Sequence, residues 1–299
     1  MYDICCVGHI TLDKVVTSKA VVHMAGGTSF YFSNAIHNMD VNYALVTALA
    51  QKEMYIVSEL RAKGIEVKAL PSTYTVYFEN IYAGNMDHRT QRVSQKADPF
   101  TVDQLQPIEA KVYHLGPLLA DDIPLEVIRM LSERGLVSLD VQGYLRKVQG
   151  ANVVAIDWPA KLEILQYVDI LKANESEMFV LTGNKNVRES ARILAGWGVK
   201  EVIITLGSRG SVIFKDNTFY NIPAYIPTTS VVDATGCGDT YMAGYLSQRI
   251  KGASLQNAGE FAAAMASLKI ESSGPFTGDQ HDVQQLLTTR KKRFLVSDH

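Results

Sequence analysis

From Ala110 to Asp216 the chain alternates between short apolar runs and stretches with helical spacing, and that rhythm restricts the fold more than any other feature. "AKVYHLGPL" is followed by the helical "PLEVIRMLSERG". The runs "LVSLDVQG", "ANVVAIDW" and "VDILKANESE" continue the series, before the helical "NVRESARILAGWG" and the strand "EVIITLGSRGSVIFKD". Consecutive strands joined through a helix lie parallel, because the helix carries the chain back to the starting edge. Strands that are apolar throughout are those buried on both faces. The expected class is therefore α/β, a mostly parallel central sheet with helices on both faces and ligands at the carboxyl ends of the strands. "YDICCVGHITLD" and "VNYALVTALA" read as two further strands, and "QKEMYIVSELRAKG" as an amphipathic helix closed by Gly64.

One region breaks the rhythm. "PSTYTVYFENIYAGNMDHRTQRVSQ" is rich in Thr, Tyr, Val and Phe, alternates with period two, and is interrupted at "AGN". That pattern predicts a β-hairpin. It lacks the apolar runs of a parallel core, so it is expected to cover one side of the main domain. The expected lid spans about residues 14–23 and 70–95 of a single domain, 1–299. With 299 residues, 47% of them hydrophobic, the chain has material for one sizeable core. A net charge of −2 offers no footprint for nucleic acid or an anionic membrane. The run Arg290-Lys291-Lys292-Arg293 reads as a solvated end. Three cysteines, Cys5, Cys6 and Cys237, form neither a disulfide framework nor a zinc spacing. No signal peptide or membrane span is recognisable, so a cytoplasmic location is expected.

The chemistry concentrates in "VVDATGCGDTYMAGYL", residues 231–246. Met242, Tyr245, Leu246 and Ile250 recur at helical spacing, so Gly236, Cys237 and Gly238 stand at the approach to a helix. Unpaired N–H groups and the positive end of the helix dipole make such an approach an anion site. Asp239 would repel that anion. The conflict disappears if the carboxylate takes a proton from a hydroxyl while the N–H groups hold the phosphoryl group under attack. The simpler alternative makes Asp239 a helix N-cap. A dinucleotide fingerprint is excluded because Tyr241 stands where it needs a third glycine.

"DATGCGD" resembles the D-T-x-G-A-G-D signature of the ribokinase-like (PfkB) carbohydrate kinases. Other stretches resemble that family in the family's own order: "GHITLD" with Asp13, "AGGTSF" with Gly26 and Gly27, "NESE" with Asn174 and Glu177, and "TLGSRGS" with Thr205, Gly207 and Gly210. The resemblance covers nearly the whole chain and implies a ribokinase-like three-layer fold with a small β-sheet lid. It implies Asp239 as the base, and the N–H groups of Gly236, Cys237 and Gly238 as the anion hole. Asn174, Thr205, Gly207, Ser208, Gly210, Gly238 and Ala263 would line ATP, with Glu177 holding Mg2+ through water. Asp233 and the Thr235 carbonyl, completed by the carbonyls of Lys269, Ser272 and Gly274, would form a monovalent-cation site for K+.

Departures from the family pattern bear on the acceptor. Tyr31 stands where members commonly carry an asparagine, and the nearest asparagine is Asn34. "DVQGYLR", with Asp140, Gln142 and Arg146, replaces the D-P-N-x-R of many sugar kinases, and Ala263 replaces an adenine-side asparagine. The whole set is more similar to the branch containing myo-inositol kinases. Asp13, Gly26, Gly27, Asn34, Gln142 and Arg146 are the expected acceptor contacts, and the expected reaction is phosphorylation of a sugar or polyol, plausibly myo-inositol. The alternatives are a nucleoside or a furanose such as ribose or fructose as acceptor, or a catalytically silent sensor. Exposed lid strands also offer an edge for a homodimer.

Overall fold

The computed structural model describes residues 1–16, 21–82, 89–227, 229–289 and 292–293. Its centre is a nine-stranded sheet. The strands are β1 (Tyr2–Val7), β4 (Tyr43–Leu49), β5 (Glu66–Pro71), β8 (Ala110–Leu115), β9 (Leu136–Asp140), β12 (Ile170–Asn174), β13 (Glu201–Thr205), β14 (Ser211–Lys215) and β15 (Thr218–Ile222). The spatial order is β15-β14-β13-β12-β9-β8-β1-β4-β5. From β13 to β5 all neighbours pair in parallel, whereas β14 and β15 run antiparallel.

Alternation through this sheet builds two cores. Cys5 and Cys6 are adjacent and both fully buried, but Cys5 joins the cluster on one face and Cys6 the cluster on the other. On the Cys6 face lie α1 (Thr28–Ile36), α2 (Met54–Ala62), α8 (Cys237–Ile250), α9 (Leu255–Lys269) and α10 (Gln280–Thr289). On the Cys5 face lie α3 (Val102–Leu105), α4 (Leu125–Ser132), α5 (Lys161–Ile164), α6 (Glu175–Thr182) and α7 (Val187–Gly196). The three layers match the expected class.

A second, six-stranded sheet forms the cover. It contains β2 (Thr11–Val16), β3 (Val21–Gly26), β6 (Val76–Tyr82), β7 (Arg89–Gln95), β10 (Arg146–Gln149) and β11 (Asn152–Ala155), in the order β10-β11-β7-β6-β2-β3. Val76, Phe78, Val93, Ala97, Leu118 and Leu119 close a small apolar cluster of their own beneath it. A short pair, β16 (Ala224–Tyr225) with β17 (Lys292–Arg293), joins the end of the chain to the body.

Two expectations need correction. "ANVVAIDW" does not continue the parallel series, because β11 folds back on β10 in an antiparallel hairpin and pairs Asn152 with Arg92 of β7. The signal was local: Gly150, with φ of 63°, opens a two-residue turn between "RKVQ" and "NVVA". Asp13 does not end the first strand either. It is the third residue of β2 and so belongs to the cover. Residues 17–20 of the expected lid, the "AGN" of the hairpin turn, and Arg290 and Lys291 lie outside the described residues. Among the described residues no helix is long and apolar enough to cross a membrane.

Candidate active site

Parallel register lines up the carboxyl ends of three strands. Asp140 of β9 sits opposite Lys172 of β12, and Asn174 of β12 opposite Thr205 of β13. Helix α8 begins beside them. Its N-cap is Gly236, at φ 76°, and an added Cβ there would lie 2.2 Å from the Tyr31 ring, so only glycine fits. Asp239 is the third residue of the helix and not its cap, which removes the structural alternative for this carboxylate. It takes a hydrogen bond from the Thr28 hydroxyl at the start of α1.

Asp239 is a partly buried group in the first turn of α8. Burial, and next the charge of Asp140, push its pKa up to about 7, against the opposing pull of Lys172 and the Thr28 hydrogen bond. A carboxylate tuned to neutrality beside a helix start suits a general base. Of the expected anion-hole donors, the Cys237 N–H is engaged with the Ala234 carbonyl at 3.2 Å. Gly238 is packed against a lysine, since a Cβ there would stand 3.1 Å from Lys172 Nζ.

Lys172 was missed by the sequence reading, although a lysine inside the apolar "VDILKAN" is an unusual residue for a buried strand. It is buried and donates to Asp140 Oδ2 at 2.9 Å. Burial opposes its charge, but Asp140, with Glu177 and Asp239, outweighs burial and holds the ammonium protonated. Asp140 is in turn kept below the usual carboxylate range by Lys172, again against burial.

Asn174 and Glu177 form a reciprocal cap on α6. Asn174 Oδ1 accepts from the Glu177 N–H at 2.9 Å, and Glu177 Oε2 accepts from the Asn174 N–H at 2.8 Å. The other oxygen, Oε1, meets Gln142 Nε2 only at 3.5 Å. Gln142 therefore faces the Glu177 side of the site. Asp140, Glu177 and Asp239 converge around a single lysine, a net negative set that suits a hard cation. Among the described residues no three His, Cys, Asp or Glu side chains approach closely enough to hold a metal unaided. These residues fit a hydrated magnesium ion, which Glu177 would hold through water. Glu177→Gln should raise the magnesium concentration for half-maximal rate several-fold and leave acceptor KM within about twofold, because glutamine preserves the cap and removes only the charge. A magnesium titration of both proteins checks this, and unchanged dependence would reduce Glu177 to a cap.

The nucleotide-loop expectation, Thr205 to Gly210, lies at the tip of the β13–β14 hairpin, with Thr205 paired to Ser211. Gly210 has φ of 91°, and a Cβ would stand 2.1 Å from the Ile222 carbonyl oxygen. Ser208 lies in the turn at this tip, and its neighbour Arg209 forms an ion pair with Glu175 at the start of α6. Ala263 is buried in the middle of α9.

On the acceptor side, Thr11 Oγ1 donates to Asp13 Oδ1 at 2.7 Å, and a Cβ on Gly26 would stand 2.6 Å from Asp13 Oδ2. Gly27, at φ 90°, brings the chain from β3 into α1. The charges of Asp233, Asp13 and Asp239 all act on the buried Tyr31 hydroxyl, which together with burial holds its proton tightly. Tyr31 thus lies within electrostatic reach of Asp233, Asp13 and Asp239 together. Asn34 is not brought to this cluster. Its amide donates to the Phe30 carbonyl at 2.8 Å and accepts from Lys63 of the α2 end at 2.7 Å. Arg146 opens lid strand β10.

Of the residues expected to hold a monovalent cation, Asp233, Lys269 and Ser272 meet, but through the Lys269 side chain. The Lys269 side chain is fully buried, and its Nζ lies 2.8 Å from the Asp233 carbonyl oxygen, 3.4 Å from the Ser272 carbonyl oxygen and 3.6 Å from Asp233 Oδ2. The Lys269 carbonyl, proposed as a ligand, accepts the Ser272 N–H at 3.2 Å. Gly274 follows with φ of 79°. Two of the oxygens expected to bind potassium, the Asp233 carboxylate and the Ser272 carbonyl, thus face an ammonium instead, and potassium does not fit beside it.

The chain matches the pfkB family carbohydrate kinase pattern over residues 1–281. A cytidine kinase from Thermococcus kodakarensis is 27% identical over 266 residues, covering 86% of this chain and 91% of that protein. A pyrophosphate-dependent kinase in the ribokinase family, solved with a pyrophosphate analog and myo-inositol, is 30% identical with a TM-score of 0.83, covering 94% of this chain and 99% of its own. Arabidopsis thaliana ribokinase, complexed with ribose and ATP, shares the fold with a TM-score of 0.75 at 21% identity, covering 96% and 99%. The family match runs from the first strand into α10 and takes in the sheet, the cover and the Asp239 loop together: the chain belongs to the pfkB family of carbohydrate kinases and is a phosphotransferase.

Proposed function

We propose that this phosphotransferase phosphorylates a hydroxyl of an uncharged cyclic polyol, myo-inositol, with Mg-ATP as donor. The observation that carries the reading is that two carboxylates, Asp13 on the cover strand β2 and Asp239 at the start of α8, both act on the buried Tyr31 hydroxyl. A ring bearing many hydroxyls can donate hydrogen bonds to both at once. An acceptor that already carried a phosphate would meet two negative groups there. Asp239 takes the proton of the attacking hydroxyl, and Lys172 and the positive end of the α8 dipole oppose the charge that builds on the transferred group. Magnesium supplies further charge neutralisation between the donor's phosphates when bound.

Similarity to the pyrophosphate-dependent kinase solved with myo-inositol supports the acceptor and favours a second reading of the donor, inorganic pyrophosphate. Similarity to cytidine kinase favours a nucleoside as the alternative acceptor. Rates for myo-inositol, ribose, fructose 6-phosphate and cytidine, each with Mg-ATP and with Mg-pyrophosphate, decide among these. The expected result is the highest kcat/KM for myo-inositol. Asp13→Ala should lower that value by roughly 10²-fold, the scale of losing charge-assisted hydrogen bonds in a closed site. Turnover of cytidine or ribose with none on any inositol would overturn the acceptor and leave the phosphotransferase standing.

A further inference from the structure

We infer that the Lys269 ammonium is this chain's built-in replacement for the monovalent cation expected at Asp233, so that phosphoryl transfer needs no potassium. Lysine has three N–H donors. Three oxygens face them here: the carbonyls of Asp233 and Ser272 and the Asp233 carboxylate. Lys269 is the last residue of α9, where the carbonyls of the helix end attract positive charge. A fully buried ammonium is costly unless paired, and Asp233 pairs it.

The position explains why a cation would be wanted. Asp233 Oδ1 accepts the Thr235 N–H at 2.9 Å, one residue before Gly236. The Val232 N–H donates to the Ile270 carbonyl at 2.9 Å, and Cys237 Sγ lies 3.8 Å from the Ala266 carbonyl oxygen. The lysine therefore ties the loop that opens α8 to the end of α9. It touches neither donor nor acceptor and acts as a positioning residue. A free ion must be captured from solution, whereas a tethered ammonium is present at every salt composition.

The inference rests on the phosphotransferase activity and not on the choice of acceptor. Initial rates of the wild type should agree within about twofold in potassium, sodium and tetramethylammonium chloride at one ionic strength. Its Tm without substrates should likewise not depend on which cation is present. Lys269→Ala empties the oxygen set. That variant should lose at least about tenfold in rate in tetramethylammonium chloride and regain much of it in potassium or ammonium chloride. Its Tm should be higher in potassium than in tetramethylammonium, as for an ion that binds only the folded state. Several-fold activation of the wild type by potassium would overturn the inference, whether or not the variant folds. So would a folded Lys269→Ala protein whose lost rate and Tm respond to neither potassium nor ammonium.

Discussion

Replacing Asp239 with asparagine should lower kcat by at least about 10²-fold while donor affinity changes little, the usual scale for loss of a general base. The amide keeps the size and can still accept the Thr28 hydrogen bond, so the loss reads the missing proton acceptor. Gly236 caps α8, so the substitution removes no cap. The pH profile gives a second readout. With the Asp239 pKa pushed up to about 7, wild-type kcat/KM should rise with pH through neutrality and fall about tenfold per unit below it, because only the ionised carboxylate takes the proton. Stopped-assay rates from pH 5 to 9 check both. Near-wild-type turnover in Asp239→Asn would remove the residue from the chemistry.

The second large effect is expected at Lys172. Lys172→Met should cost at least about 10² in kcat, because the ammonium beside Gly238 is acted on by three carboxylates, Asp140, Glu177 and Asp239. It should also destabilise the fold by about 3–5 kcal/mol, since Asp140 is left buried without a partner. What separates catalysis from stability is the direction in which the acid limb moves. Lys172 holds the Asp239 pKa down, so its loss should shift the limb to higher pH. Asp140 holds that pKa up, so Asp140→Asn should shift the limb to lower pH. Thr28, Glu177, Tyr31, Cys237 and Cys6 also act on or near Asp239 and are unchanged in both variants. Limbs that moved together, or not at all, would detach the ion pair from the base.

The parallel sheet and the Asp239 loop were legible in the sequence because each rests on local physics. Apolar runs joined by helices allow few arrangements, and glycines ahead of a helix expose its N–H groups. The "TLGSRGS" segment forms the turn of a hairpin at the carboxyl edge of the sheet. Residues whose meaning depends on distant partners were not legible. Lys172 and Asp140 stand 32 positions apart and meet only through the β9–β12 register. Lys269 was noticed for its carbonyl, but the position of its side chain is set by where α9 ends against the Asp233 loop. Asn34 sits near the end of α1 remote from Thr28, and its amide is taken up there by the Phe30 carbonyl and by Lys63 at the α2 end.

The parallel pairing of β2 with β6 inside an otherwise antiparallel cover has a consequence for selectivity between acceptor and solvent. Both strands arrive from the central sheet, β2 straight from β1 and β6 straight from β5, so the cover is woven into the body and not hung from one loop. Asp13 lies on β2 and Asp239 in the first turn of α8. On the proposed function, a ring with hydroxyls on several carbons would bond to both and hold them in one geometry. A water molecule reaches Asp239 alone and contributes nothing to holding the cover in place. Futile hydrolysis of the donor would then be suppressed without walling water out, because water cannot supply the binding energy that assembles the reacting geometry.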